Sequence, residues 1–229
     1  MKRDDSSYSP VFLRLFALFI TCLLVSNIIA GKLILVFGLV LPSAVVLFPI
    51  TYILGDVFTE VYGFRKTRIV IWSGFAANVL MSAFFLVAIV LPFPSFFKDQ
   101  DAYAKVLGLT PRIVAASLLA YWAGEFGNSI TLSVLKKATK GRYLWTRTIS
   151  STIVGQAFDT VLFIGLSFAG SVPYGVLFQI MIAQYAFKVA YETILTPVTY
   201  IVVRRIKKIE GIDTFDTGVA YNPFGIGGK

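Results

Sequence analysis

The stretch that decides the fold is Tyr121 to Asp159, YWAGEFGNSITLSVLKKATKGRYLWTRTISSTIVGQAFD. Two apolar segments flank a loop rich in Lys and Arg, with Glu125 and Asn128 in the first segment and Gln156 and Asp159 in the second. An ionised carboxylate at the centre of a bilayer costs about 2.5–3.5 kcal/mol even on lenient insertion scales. Two such acids in facing segments therefore predict a polar interior, enclosed by the rest of the chain.

Composition sets the surroundings. Hydrophobic residues make up 57% of the chain and charged residues 14%, against about 25% charged in a soluble domain. This is the profile of a polytopic membrane protein. The first apolar run is too long for the core of a signal peptide and has no small-residue cleavage site. A lone cysteine, Cys22, rules out an intramolecular disulfide, and the absence of histidine rules out imidazole relays and imidazole metal sites. No cofactor is implied. The net charge of +9 is no nucleic-acid signal, because the basic residues sit at segment ends.

Runs of about 20 apolar residues mark spans. The expected architecture is all-α, a six-transmembrane-helix bundle. It has a polar tail at 1–11, a membrane domain at 12–208 and a second tail at 209–229. The spans are Phe12 to Ala30, Pro42 to Tyr62, Ile69 to Leu91, a fourth opened by Pro111 and running to Leu135, Trp145 to Ala169, and Val176 to Val203. Pro49 is expected to kink the second, and Pro197 to kink or tilt the sixth. Phe64 to Arg68 reads as a tight basic turn. Leu33 to Leu41 reads as a short, non-spanning re-entrant or interfacial piece, and Pro92 to Arg112 as the longest loop. Sixteen of the 21 Lys and Arg residues fall on one side of this arrangement and four on the other, with Lys188 inside a span. The positive-inside rule then puts both termini in the cytoplasm.

Depth can be counted from the basic ends. Glu125 lies 11 residues from Lys136, Asp159 lies 12 from Arg147, and Glu192 lies 12 from Arg204. At 1.5 Å per residue all three sit roughly 16–18 Å from that boundary, near mid-membrane. Asp56, Asn128, Gln156 and Thr196 form a second tier, eight or nine residues in. Glu125 with Asn128, and Gln156 with Asp159, share helix faces at i,i+3. Gln184, Lys188 and Glu192 run at i,i+4,i+8, as do Tyr52, Asp56 and Glu60.

Other readings stand beside this one. Glu60 is close in sequence to Arg65 and Arg68, which suggests an interfacial salt bridge. Lys188 can pair with Glu192 or with an acid on a neighbouring helix. Asn128 and Gln156 can be interhelical glue, worth about 0.6–2 kcal/mol. As a set, the candidate binding residues are Tyr52, Asp56, Trp122, Glu125, Asn128, Gln156, Asp159, Lys188 and Glu192. Carboxylates, carboxamides and flat aromatic faces suit a planar polar heterocycle, with an acid across its N–H edge. An acid near Lys188 could instead couple transport to protons.

Five motifs carry a family resemblance. They are PITYILGDVFTEVYG at 49–63, GEFGNS at 124–129, the stretch from Arg147 ending in GQAFD, KVAYET at 188–193 and DTFDTGVAYNPF at 213–224. Together they resemble the queuosine precursor transporter family of the vitamin uptake transporter group, over most of the chain from Asn27 to Phe224. The resemblance implies a bacterial inner-membrane transporter, not an enzyme. It implies import of 7-deazaguanines, the cyano or aminomethyl precursors of a tRNA nucleoside, and a fold like the substrate-binding subunits of energy-coupling-factor transporters. The expected partners are that small molecule and the lipid bilayer, with no nucleic acid. Whether the chain forms a homodimer stays open. The alternative is a capture subunit working with a separate ATPase and coupling protein, since the chain has no P-loop.

Overall fold

Five helices are long and apolar enough to cross a membrane. A sixth, short helix is buried among them. The computed structural model describes residues 8–30, 32–36, 39–108, 111–171 and 173–225. The expectations for tail residues 1–7 and 226–229 lie outside the described residues.

The chain opens with α1 (Pro10–Ile29), whose first turn is capped by Ser9 Oγ accepting from the Phe12 amide at 3.0 Å. Two antiparallel strands follow, β1 (Leu33–Val36) and β2 (Leu39–Pro42), with Leu33 opposite Pro42 and Val36 opposite Leu39. The run expected to be non-spanning therefore holds two paired antiparallel strands, a departure from an all-α fold. A 3-10 turn (Ser43–Val46) leads into α2 (Phe48–Val57), which continues as a π turn over Phe58–Tyr62. The remaining helices are α3 (Phe64–Val90), α4 (Gln100–Leu107), α5 (Pro111–Ala138), α6 (Leu144–Phe168) and α7 (Tyr174–Glu210).

The second expected span needs the largest correction. Pro42 closes a strand, and the helical part is ten residues plus a five-residue π turn. That is short of the ~20 residues a crossing helix needs. Pro49 lies in the first turn of α2, where its missing N–H costs nothing, so it starts the helix and does not kink it. In place of length this element has burial: Val57, Phe58, Glu60 and Val61 are fully buried. It packs against α1, α5 and α7, and its π turn also against α3.

Smaller corrections follow. Phe64 to Arg68 is the first turn of α3 and not a loop. The long loop folds part of itself into α4. The last helix runs past Val203 to Glu210 without a break at Pro197, so Arg204 to Lys208 ride on helix and not on tail.

The closest helix pair is α5 with α6, and glycines allow it. A Cβ on Gly124 would stand 2.9 Å from the Asp159 Cβ, and one on Gly155 would stand 2.8 Å from the Asn128 Cβ. Small residues let membrane helices approach through their backbones. Here the approach brings the polar residues of the two helices alongside each other.

Candidate functional site

A cavity of about 640 Å³ opens among α1, α2, α3, α5, α6 and α7. Its size lies within the ~300–1,000 Å³ common for small-molecule sites. The lining runs from Gly55, Asn128 and Thr152, on the side of the Lys- and Arg-rich loop, to Ala30, Leu107 and Val114 at the opposite end.

Seven of the nine candidate residues line it: Tyr52, Glu125, Asn128, Gln156, Asp159, Lys188 and Glu192. Asp56 sits just behind the wall, 1% exposed, and accepts from Asn128 Nδ2 at 3.3 Å. Trp122 does not line it. Its ring packs against Trp72, Phe126 and Phe224, so its side chain turns toward the C-terminal tail. Counting along the sequence gives no direction around the helix, which is why the candidate set includes Trp122.

Polar bookkeeping in the cavity is uneven. Lys188 Nζ donates to Asp159 Oδ2, so the lysine chooses the neighbouring helix over Glu192 on its own. Glu192 is 8% exposed and hydrogen-bonds the Thr152 side chain. Gln156 hydrogen-bonds the Tyr52 side chain. Two buried acceptors in the wall, Asn128 Oδ1 and Gln156 Oε1, have no partner among the described residues. Among the described residues no hydrogen bond or ion pair holds the Glu125 carboxylate, whose Oε2 would be 3.5 Å from a Cβ on Gly55. The orientation of Asn128 has a physical cause. Asn128 Nδ2 donates to Asp56 Oδ1, and this leaves the carbonyl oxygen facing the other way. A buried acceptor left unpaired costs about 1–3 kcal/mol. The cavity thus offers acceptors that await donors, and three acidic side chains against a single lysine that is already paired.

Other wall residues were outside the candidate set. Asn27 on α1 donates to Asn78 Oδ1 on α3 at 2.8 Å, which ties those helices at the cavity edge. Both are asparagines within apolar runs, so the signal was present in the sequence. Tyr121 also lines the cavity, with its hydroxyl packed against Gly74.

Glu60 is paired, but not with its sequence neighbours. It is fully buried and takes Arg147 in a two-pronged contact, Nε to Oε2 at 2.8 Å and Nη2 to Oε1 at 2.7 Å. Lys207 adds a bond at 2.6 Å. Gly63 ends the helix just after Glu60 with φ 84, which sends Arg65 and Arg68 away on α3. Arg68 donates to the Asn222 carbonyl at 3.0 Å.

Comparison with known proteins agrees with this picture. Residues 42–202 match the family described as "Putative vitamin uptake transporter". A Bacillus subtilis (strain 168) protein named "Probable queuosine precursor transporter" is 30% identical over 188 residues, covering 81% of each chain. No solved structure gives a match. On the extent of the family match, and on this relative's identity and coverage, the chain belongs to the vitamin uptake transporter family.

Proposed function

We propose that this transporter imports queuosine precursors, 7-deazaguanines such as 7-cyano-7-deazaguanine and 7-aminomethyl-7-deazaguanine, for salvage into tRNA. The observation that carries the reading is the unpartnered acceptor pair, Asn128 Oδ1 and Gln156 Oε1, in a cavity that also holds Glu125 and Glu192. A 7-deazaguanine presents N1–H and an exocyclic amine on one edge, and a carboxylate accepts two parallel N–H bonds. Glu125, the unpaired acid, takes that edge. The carboxamide oxygens take the remaining N–H groups. Tyr52 or Tyr121 offers a face for the ring, and Glu192 meets the ammonium of the aminomethyl form. Asp159 is held by Lys188 and frames the wall.

In this reading the protein is a multi-pass protein of the bacterial inner membrane. It has six membrane segments if the short α2 with its π turn is counted, and both termini lie in the cytoplasm. The charge distribution supports that orientation.

The test is a strain that cannot make the precursor, supplied with it from outside and carrying Glu125→Ala. Queuosine in its tRNA should vanish while membrane levels of the protein stay normal. Full modification with the alanine variant would sink the assignment. Uptake by purified protein in liposomes, without any ATPase, tests whether the chain works alone.

A further inference from the structure

The end of the molecule rich in Lys and Arg is sealed, and its seal includes the C-terminal tail. Along α2 the side chains step down one turn at a time: Tyr52 in the cavity wall, Asp56 behind it, and Glu60 in the charge cluster. At the level of Glu60 the chain adopts its π turn, a feature found mostly at functional sites. Lys136 joins this turn to the tail. Its Nζ donates to the Glu60 carbonyl at 2.5 Å and to the Thr214 carbonyl at 2.7 Å, and it pairs with Asp213. Lys207 bridges Glu60 and Asp213 in the same way.

The tail is seated as well as charged. The Thr214 amide donates to the Val61 carbonyl at 3.2 Å. Asp216 is 5% exposed, caps the start of α3 through the Phe64 amide at 3.0 and 3.1 Å, and accepts from Ser133. A Cβ on Gly63 would lie 2.7 Å from Thr214 and 2.8 Å from Asp216, so only glycine leaves room for this seat. Beyond it, Phe224 packs on Trp72 and Trp122. On the outer side of the cluster, a hollow of about 310 Å³ is lined by Arg147, Arg204 and Lys207. Arg147 and Lys207 thus face this hollow while holding Glu60.

We infer that the Glu60 cluster and tail residues 213–224 together form the inner gate of the transporter, with the tail as a latch that must release before substrate leaves the cavity toward the basic end. Alternating access needs the path on one side of a site to close while the other is open. Here the cavity lining reaches only the opposite end, and the basic end is blocked by ion pairs and by a segment that ties α2, α3, α5 and α7 to one another. Ion pairs suit a gate, because partners can exchange without a change of fold. The tail suits a latch, because residues 213–224 lie outside any helix and are held by side chains and one backbone bond, so they can lift away without unwinding a helix. This inference rests on the transport reading and goes beyond it in assigning the tail.

The experiment uses Ser133→Cys with Asp216→Cys in a Cys22→Ser background, reconstituted in liposomes, with 7-aminomethyl-7-deazaguanine as the probe. Oxidation fixes the tail to α5. Binding should persist while uptake falls at least about tenfold, and a reductant should restore uptake. Uptake as fast in the cross-linked protein as in the reduced one overturns the latch. Loss of binding in both states would instead count against the proposed substrate. A second measurement needs no substrate and no disulfide. In Thr152→Cys on the same Cys22→Ser background, the thiol at the inner limit of the cavity should react faster with an impermeant thiol reagent from the basic side when Asp213→Asn and Phe224→Ala loosen the tail. Equal rates with and without those changes would also overturn it.

Discussion

The two halves of the bundle use the same residue types in opposite ways. In the cavity half, Asn128 and Gln156 keep buried oxygens unpaired and Glu125 stands alone. In the basic half, Glu60 collects Arg147, Lys136 and Lys207, and Asp216 accepts from Ser133 and an amide. A side chain with full bonding adds rigidity, and one left wanting adds affinity for whatever completes it. The difference says that stability and binding are assigned to separate ends of the same helices.

The sharpest way to break this comparison is at Glu60. Removing one partner of a buried ion pair costs about 3–5 kcal/mol, and here Arg147 would lose its carboxylate while Lys136 and Lys207 would keep only Asp213. Glu60→Ala should cause the largest loss of folded protein, read as thermal unfolding in detergent, with α1–α7 packing disrupted before any question of binding arises. Wild-type unfolding behaviour in this variant would undo the claim that the basic half carries stability. In the cavity half the outcome should reverse. Gln156→Ala removes an oxygen that has no partner among the described residues, and with it one bond to the Tyr52 side chain, so the fold should lose far less than in Glu60→Ala. Affinity for 7-aminomethyl-7-deazaguanine should fall by an amount worth about 1–3 kcal/mol, roughly 5- to 150-fold, in titration calorimetry. Unchanged affinity would show that this oxygen is not waiting for substrate.

How much of this was legible in the chain depends on the kind of signal. Hydropathy marked α1, α3, α5, α6 and α7, because a crossing helix must be apolar for its whole length. Counting residues inward from basic ends put Glu125, Asp159 and Glu192 at one level, and the cavity gathers all three. Depth is linear in sequence, so it survives without coordinates. Direction around the helix does not, which is why Trp122 faces the tail and not the cavity. Leu33 to Pro42 is a short apolar run of the sort that periodicity cannot assign to helix or strand. Glu60 was misread for a related reason: nearness in sequence stood in for nearness in space across a helix break at Gly63. The glycines of α5 and α6 were visible in GEFG and GQAFD, but their use shows only when the helices are placed together.

Those glycines offer a way to sharpen the comparison with a smaller change. Gly155→Ala places a Cβ 2.8 Å from the Asn128 Cβ and 2.9 Å from the Gly124 carbonyl oxygen. Neither neighbour is the free end of a flexible side chain, so α5 and α6 must separate slightly. Overpacking of this kind costs about 1–3 kcal/mol. The loss of binding should exceed what that destabilisation explains, because Asn128 and Gln156 move apart together. A variant that loses stability but binds normally would mean that helix spacing does not set the site.

The smallest effect belongs to the tail, and pH reveals it. Burial alone would raise the Asp213 carboxyl, but hydrogen bonds from Lys136 and Lys207, with their charges, outweigh burial and hold it below its ordinary value. A carboxyl depressed in the folded state contributes stability that is fully present above its unfolded pKa, about 3.9 for Asp. That contribution is lost as pH falls through the lower folded value. The Asp213 side chain is 46% exposed, so solvent and salt screen much of the gain. Hydrogen-exchange protection of residues 212–224 should therefore hold steady at neutral pH and decline only below about pH 4. In Asp213→Asn it should be weaker at neutral pH and lack that acid step, and added salt should bring the wild-type protein toward the variant. If the variant keeps the same acid step, the carboxylate that fastens the tail is not Asp213.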